Sequence, residues 1–462
     1  MKQITARRFD ALCYVRAPYM HIMAAEVRHY ETADLTNLGL VVFDRTDQDF
    51  GYIILGRDQR RIFRALEVGG AWFRTPDEAE AALKEAIQPY EADGMSVYPQ
   101  GDEIKPTLDI FEPVVPEQQQ HQYFKALIAS DHREAARNLI QEIAYSFVDV
   151  DGNYVQQFQS TGFDQRLWEL FLYVLFHKAG FEIDNSRQVP DYALSKFGFS
   201  VFIEAVTVGQ NPDFDVPANS AAEIAELSKD YMPIKFGSPL FKKLSRQPKY
   251  WDLPHVAGHP FVLAIHDYHG LATEDTPGSM TWSRAGLVNY LYGVRDDVVV
   301  DGDRVSPRMV VGRTGLEPAI RLVAEHTYGS KTIPSRFFAQ PGAENVSAVL
   351  FSNGATITTF GRMGKIAGLG NANVKMLRMG MWIGEDQVSS EPFVTDADSE
   401  DYDEGWGDTV TMFHNPWAKF PVPDELFPTI SHAIFDPNTC RVHYKFTPKH
   451  VLTSVTNVIV PT

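Results

Sequence analysis

The sequence predicts a mixed α/β protein, and three observations carry that prediction. Residues 200–208 form an apolar run rich in β-branched and aromatic side chains (Val201, Phe202, Ile203, Val206, Thr207, Val208), which is a strand pattern. Residues 164–179 read as a helix that is apolar on nearly every side, and such a helix is a buried one. Between 164 and 265 the order is helix, strands, helix, strand, which is the alternation of a sheet covered by helices.

Length and composition set the frame. The chain has 462 residues, more than one ordinary core, so two to four units of about 100–200 residues are expected. A hydrophobic share of 44% with 22% charged residues is globular and excludes a disordered or fibrous class. Against 42 Lys and Arg stand 60 Asp and Glu, a formal charge of −18, which argues against coating nucleic acid by bulk electrostatics; any such site must be local. Two cysteines, Cys13 and Cys440, near opposite ends suggest a reducing compartment and inert buried thiols. With neither an N-terminal apolar core nor a run of roughly 18 apolar residues, a soluble, cytoplasmic protein without membrane contact is expected.

The first unit, 1–95, reads as α+β. Runs at 38–43 and 52–55 around a polar turn predict a hairpin. Thr75-Pro76-Asp77-Glu78 carries an N-cap, a proline at the first helical position and a glutamate at N3, which predicts a helix over 79–86. Residues 96–120, with Pro99, Pro106, Pro113, Pro116 and three glutamines, read as a linker.

A core follows over 121–300. Helical sequence is expected at 121–143, a hairpin at 147–155 turning at Asp151-Gly152, and strands at 181–183, 191–194, 200–208 and 260–265. Helices are expected at 221–227 and 239–244, after a polar stretch at 209–219. The region 301–462 is read as partly completing the core sheet, with a helix at 317–325, a strand at 346–351 and a solvated or disordered acidic loop at 396–404.

Chemistry concentrates on three acids. Glu204 sits inside an apolar strand, where an ionised carboxylate is costly unless a cation or hydrogen-bond donors compensate it. Asp191 follows Pro190 at the start of the preceding strand, from which its carboxylate could approach Glu204. Paired carboxylates are hard ligands of the kind Mg²⁺ or Mn²⁺ takes. Glu169 is a third acid, on the apolar helix.

Glu169 in Leu167-Trp168-Glu169-Leu170, Pro190-Asp191, and Glu204-Ala205-Val206 together resemble the PD-(D/E)XK nuclease superfamily, over about 164–268. The resemblance implies a restriction-endonuclease-like core of mixed sheet flanked by helices, with the N-terminal α+β unit and C-terminal region added to it. It also implies Mg²⁺ or Mn²⁺ on Asp191 and Glu204, assistance from Glu169, and hydrolysis of a phosphodiester by an activated water. The family's lysine, two residues after the strand glutamate, is Val206 here. Some members take that lysine from a neighbouring element, and this chain offers Lys196, Lys242, Lys243 and Lys249; we choose Lys243. The implied partner is nucleic acid, DNA ahead of RNA, with a protein partner also open.

Blander readings stand beside these. Glu169 can pair with Arg166 at i−3, Asp191 can cap a turn, and Glu204 can be matched by a buried arginine, Thr207 or Tyr192. Lys242, Lys243, Arg246 and Lys249 form the most basic local patch, either a phosphate contact or a solvated helix face. His266-Asp267 is a polar pair at a strand end, more often a satisfied structural histidine than a site. A noncatalytic binding or scaffold protein keeping the same fold is the alternative function. No zinc pattern, dinucleotide fingerprint, phosphate loop, EF-hand or Gly-x-Ser-x-Gly is present.

Overall fold

The computed structural model describes residues 1–460 apart from 15, 70–71, 104–106, 210–219, 270–281, 303 and 312–315. The polar stretch expected at 209–219 thus lies almost wholly outside the described residues. The centre is an eight-stranded mixed sheet whose strands are laid down side by side in chain order: β1 Glu182–Asp184, β2 Tyr192–Lys196, β3 Phe199–Val208, β4 Phe261–Asp267, β5 Ala348–Ser352, β6 Thr411–His414, β7 Ser431–Asp436 and β8 Arg441–Lys445. β1–β2–β3 are antiparallel, β3–β4–β5 parallel, and the remaining pairs antiparallel, parallel and antiparallel. Half of the strands come from beyond residue 301, so the C-terminal region does complete the sheet.

Helices cover both faces, which is why the central strands are apolar almost without break. On one face α1, Phe163–Lys178, packs with helices Gln122–Ala129, Glu134–Ser146 and Ile357–Ile366 on Val201, Ile203, Ala205, Val262 and Ala264. On the other, α2, Tyr231–Ser245, packs with helix Arg284–Tyr292 on Phe202, Val206, Leu263 and Ile265. A parallel β3–β4 pair needs a crossover, and α2 lies in it.

The N-terminal unit is a five-stranded antiparallel meander spanning Lys2–Ile4 to Phe63–Val68, with helix Pro76–Ala86 on one side. The Thr75–Glu78 capping box forms in full, and Ala79 and Leu83 bury against Val41 and Ile54. Among its described residues segment 96–120 has only a 3₁₀ turn, Glu117–Gln119, yet it is pinned to the core. The buried Gln159 side chain accepts from the N–H groups of Val114 and Val115 and donates to the carbonyls of Ile110 and Glu112. A three-stranded sheet, of Ser390–Asp396, Lys375–Ile383 and Val451–Ile459, and four two-stranded pairs between Val294 and Pro334 complete the described fold.

Five local expectations are corrected. The helix over 121–143 is two helices, interrupted by a 3₁₀ turn at Asp131–Arg133. The hairpin at 147–155 is a loop that enters helix Tyr154–Gln159, because the Asp149 carboxylate accepts from the N–H groups of Gly152 and Tyr154 and turns the chain into a helix start. The helix at 317–325 is instead strand segments, Leu316–Pro318 and Ile320–Leu322 each pairing with a different upstream strand, and the next strand, Glu325–Tyr328, begins at its end; Pro318 inside the stretch removes a helical donor. The acidic loop 396–404 is not merely solvated, since Glu404 is buried between Arg362 and Arg378. Cys13 is buried, but Cys440 is only half-buried, in a tight turn with φ +55°. No helix among the described residues is long and apolar enough to cross a membrane.

Candidate active site

The geometry begins with the register of β2 on β3. Tyr192 pairs with Ile203, so Asp191, one step before β2, arrives beside Glu204. Its Oδ2 accepts the Ala205 N–H at 2.7 Å and so ties the acid to β3. Side chains alternate along a strand, and Glu204 falls on the same face as Phe202 and Val206, towards α2. The last turn of α2 brings Lys243 there: its Nζ donates to Glu204 Oε1 at 2.5 Å. From the 3₁₀ turn Tyr250–Asp252, the Tyr250 hydroxyl donates to the same oxygen at 2.7 Å.

Glu169 comes from the opposite face. It is buried on α1, receives Arg166 Nη1 at 2.6 Å and Gln165 Nε2 at 3.0 Å, and so makes the intrahelical pair that was its blander reading. Burial raises its carboxyl pKa, Arg166 opposes the rise, and the negative charge of Glu204 adds to it. The Asp191 carboxyl is pushed well above the usual range, first by the protein packed around it and then by Glu204 and Glu169. Because Asp191 still presents an exposed surface, water weakens the first cause, and like-charge repulsion is the one that characterises the site.

Three carboxyl groups thus face two cations, Arg166 and Lys243. Glu169 and Asp191 line a narrow cleft of about 40 Å³ with Tyr154, Arg166 and Arg187. Two larger cavities, of about 480 and 720 Å³, lie around the C-terminal end of α1 at Lys178, away from the acids.

Among the described residues no group of three or more His, Cys, Asp or Glu side chains could hold a metal ion. Asp191 and Glu204 would offer a divalent ion only two hard oxygen donors, with its other positions left to water or substrate. The like charge of Glu204 and Glu169 felt at Asp191, partly offset by Lys243 and the Ala205 N–H, is what such an ion would relieve.

The basic patch is divided by its contacts. Lys243 turns inward to Glu204. Arg246 donates to the Pro248 carbonyl at 3.2 Å and lies 4.5 Å over the Tyr250 ring, while Lys249 donates to the Leu244 carbonyl at 2.7 Å. Lys242 is exposed. Lys196 is remote, bonded to the carbonyls of Ala179 and Leu426. Of the three alternative partners of Glu204, the cation found there is Lys243 and not an arginine, Tyr192 donates to the Glu169 carbonyl at 2.5 Å, and Thr207 donates to Gln165 Oε1 at 3.2 Å. His266 accepts the Ala355 N–H, and Asp267 pairs with His269 at 2.6 Å, both structural contacts at the far end of β4.

Sequence reasoning missed Tyr250 and Gln165. Tyr250 adjoins the basic patch that was singled out, but only the fold-back of the chain after α2 gives it meaning. Compared with protein-family models, with curated proteins and with solved structures, the chain matches none.

Proposed function

We propose that the protein is a metal-dependent nuclease with a restriction-endonuclease-like core, hydrolysing phosphodiester bonds in DNA or RNA. The contact between Lys243 and Glu204 carries this reading. Val206 stands where the superfamily that the sequence resembles has its lysine, and α2 supplies a lysine to the same glutamate. The mixed sheet between helices, and Asp191 leading into the strand beside Glu204, support it further.

Asp191 and Glu204 would hold Mg²⁺ or Mn²⁺. Such an ion supplies charge stabilisation at a phosphoryl oxygen and a lowered pKa for bound water. Lys243 orients the attacking water or meets the charge that develops on the phosphate. Glu169 acts indirectly, adding negative potential at Asp191, while Arg166 opposes the rise that burial imposes on its carboxyl.

The test incubates the purified protein with linear, circular and single-stranded DNA and with RNA, in Mg²⁺, Mn²⁺ or EDTA, beside Asp191→Ala and Glu204→Ala. Metal-dependent cutting that both variants lose is the expected result; cutting that both retain overturns the reading. A noncatalytic nucleic-acid- or protein-binding scaffold is favoured by one observation: Lys243 and Tyr250 already compensate Glu204, as they would in a site without an ion. Binding of nucleic acid with no cutting in any metal decides for that alternative.

A further inference from the structure

Both partners of Glu204 lie on one of its oxygens. Lys243 Nζ and the Tyr250 hydroxyl meet Oε1, at 2.5 and 2.7 Å, and among the described residues no hydrogen bond falls on Oε2. A carboxylate gripped on one oxygen by two donors from different elements cannot rotate freely. Its second oxygen is kept out of competition with the lysine.

Tyr250 is itself rigidly held. It is 2% exposed, its ring stacks on Phe261 with centroids 4.9 Å apart and planes 18° from parallel, and the Arg246 guanidinium lies 4.5 Å from the ring centroid. Phe261 opens β4, the strand beside β3. The hydroxyl is therefore fixed relative to the strand that carries Glu204, whereas Lys243 sits on a flexible four-carbon stem.

We infer that Tyr250 is a positioning residue for the metal site: its hydroxyl fixes Glu204 Oε1 and reserves Oε2 for a divalent ion. This rests on the nuclease reading, and it assigns a role to a residue outside the three acids and the lysine. A hydrogen bond from outside the ligand set that orients a ligand typically contributes about 10–100-fold to metal affinity.

The experiment measures Mn²⁺ binding directly, by the loss of the free-ion electron paramagnetic resonance signal on titration into the full-length protein. Wild type, Tyr250→Phe, Asp191→Asn and Glu204→Gln are compared, with thermal unfolding of each. Phenylalanine keeps the stacked ring and removes only the hydroxyl. Mn²⁺ affinity in Tyr250→Phe is expected to fall by about 10-fold or more, with the melting temperature little changed and binding lost in both acid variants. Should Tyr250→Phe bind Mn²⁺ as tightly as wild type while the acid variants do not bind, the positioning role is overturned and the nuclease reading survives. Should wild type take up no Mn²⁺, or the acid variants bind it undiminished, both fall.

Discussion

Lys243 and Glu204 stand 39 positions apart, one on a helix and one on a strand, and meet with 2.5 Å between Nζ and Oε1. Two regular features produce the meeting. Alternation along β3 turns Glu204 to the same face as Val206, and the crossover between the parallel strands β3 and β4 lays α2 over that face. A lysine at the end of α2 can therefore reach the point that a lysine at 206 would occupy from the strand itself.

That equivalence can be tested by moving the charge. In the proposed nuclease, Lys243→Met is expected to lower the Mn²⁺-dependent cleavage rate by about 100-fold or more, the usual loss of a group that stabilises developing charge. Adding Val206→Lys to that variant should restore part of the rate, because the new side chain starts on the same face beside Glu204. Single-turnover cleavage of a labelled duplex measures both, and a wild-type rate in Lys243→Met removes the lysine from the mechanism.

What the sequence could convey depended on whether the signal was local. The β3 run and the α1 helix were legible because burial on both sides leaves an apolar record in consecutive residues. The Thr75 capping box was legible because its two partners are three residues apart. Glu204 stood out as a charge inside an apolar strand, and Asp191 as its neighbour, so the acids could be named. The hydroxyl of Tyr250 could not, since its role exists only once residues 246–250 fold back on β3 and β4. Nor could the fate of the loop at 396–404, where five exposed or half-exposed acids conceal that Glu404 is drawn inward by arginines from distant elements.

Glu404 is accordingly expected to be a pillar of stability. Arg362 grips it with two nitrogens, Nε at 2.8 Å and Nη2 at 2.7 Å, Arg378 approaches to 3.0 Å, and the Tyr402 hydroxyl also donates to it. Burial alone would raise the carboxyl, but the two guanidinium groups overcome it and hold the pKa at about 2. Glu404→Gln leaves two buried guanidinium groups without their anion and should cost about 3–5 kcal/mol in urea unfolding. Asp401→Asn, at an exposed position of the same loop, should change stability by less than about 0.5 kcal/mol. A cost below about 1 kcal/mol for Glu404→Gln would show that the loop does not anchor the fold.

Asp164 sets a pH dependence of opposite sign to that of an ordinary paired acid. It lies in the first turn of α1, its Oδ1 is buried without a hydrogen-bond partner among the described residues, and burial pushes its pKa up to about 7. In the unfolded chain the same carboxyl ionises near about 3.9. Between those values the native state holds a proton that the unfolded state has lost, so this group makes stability fall as pH rises from about 4 to about 7. Above that window the full penalty of a buried charge remains, on the order of 2–4 kcal/mol. Asp164→Asn removes the ionisation while keeping the shape. The variant is expected to match wild type at pH 4 and to unfold at higher urea concentration at pH 8. Equal midpoints at both pH values would mean that water or a nearby donor satisfies the carboxylate.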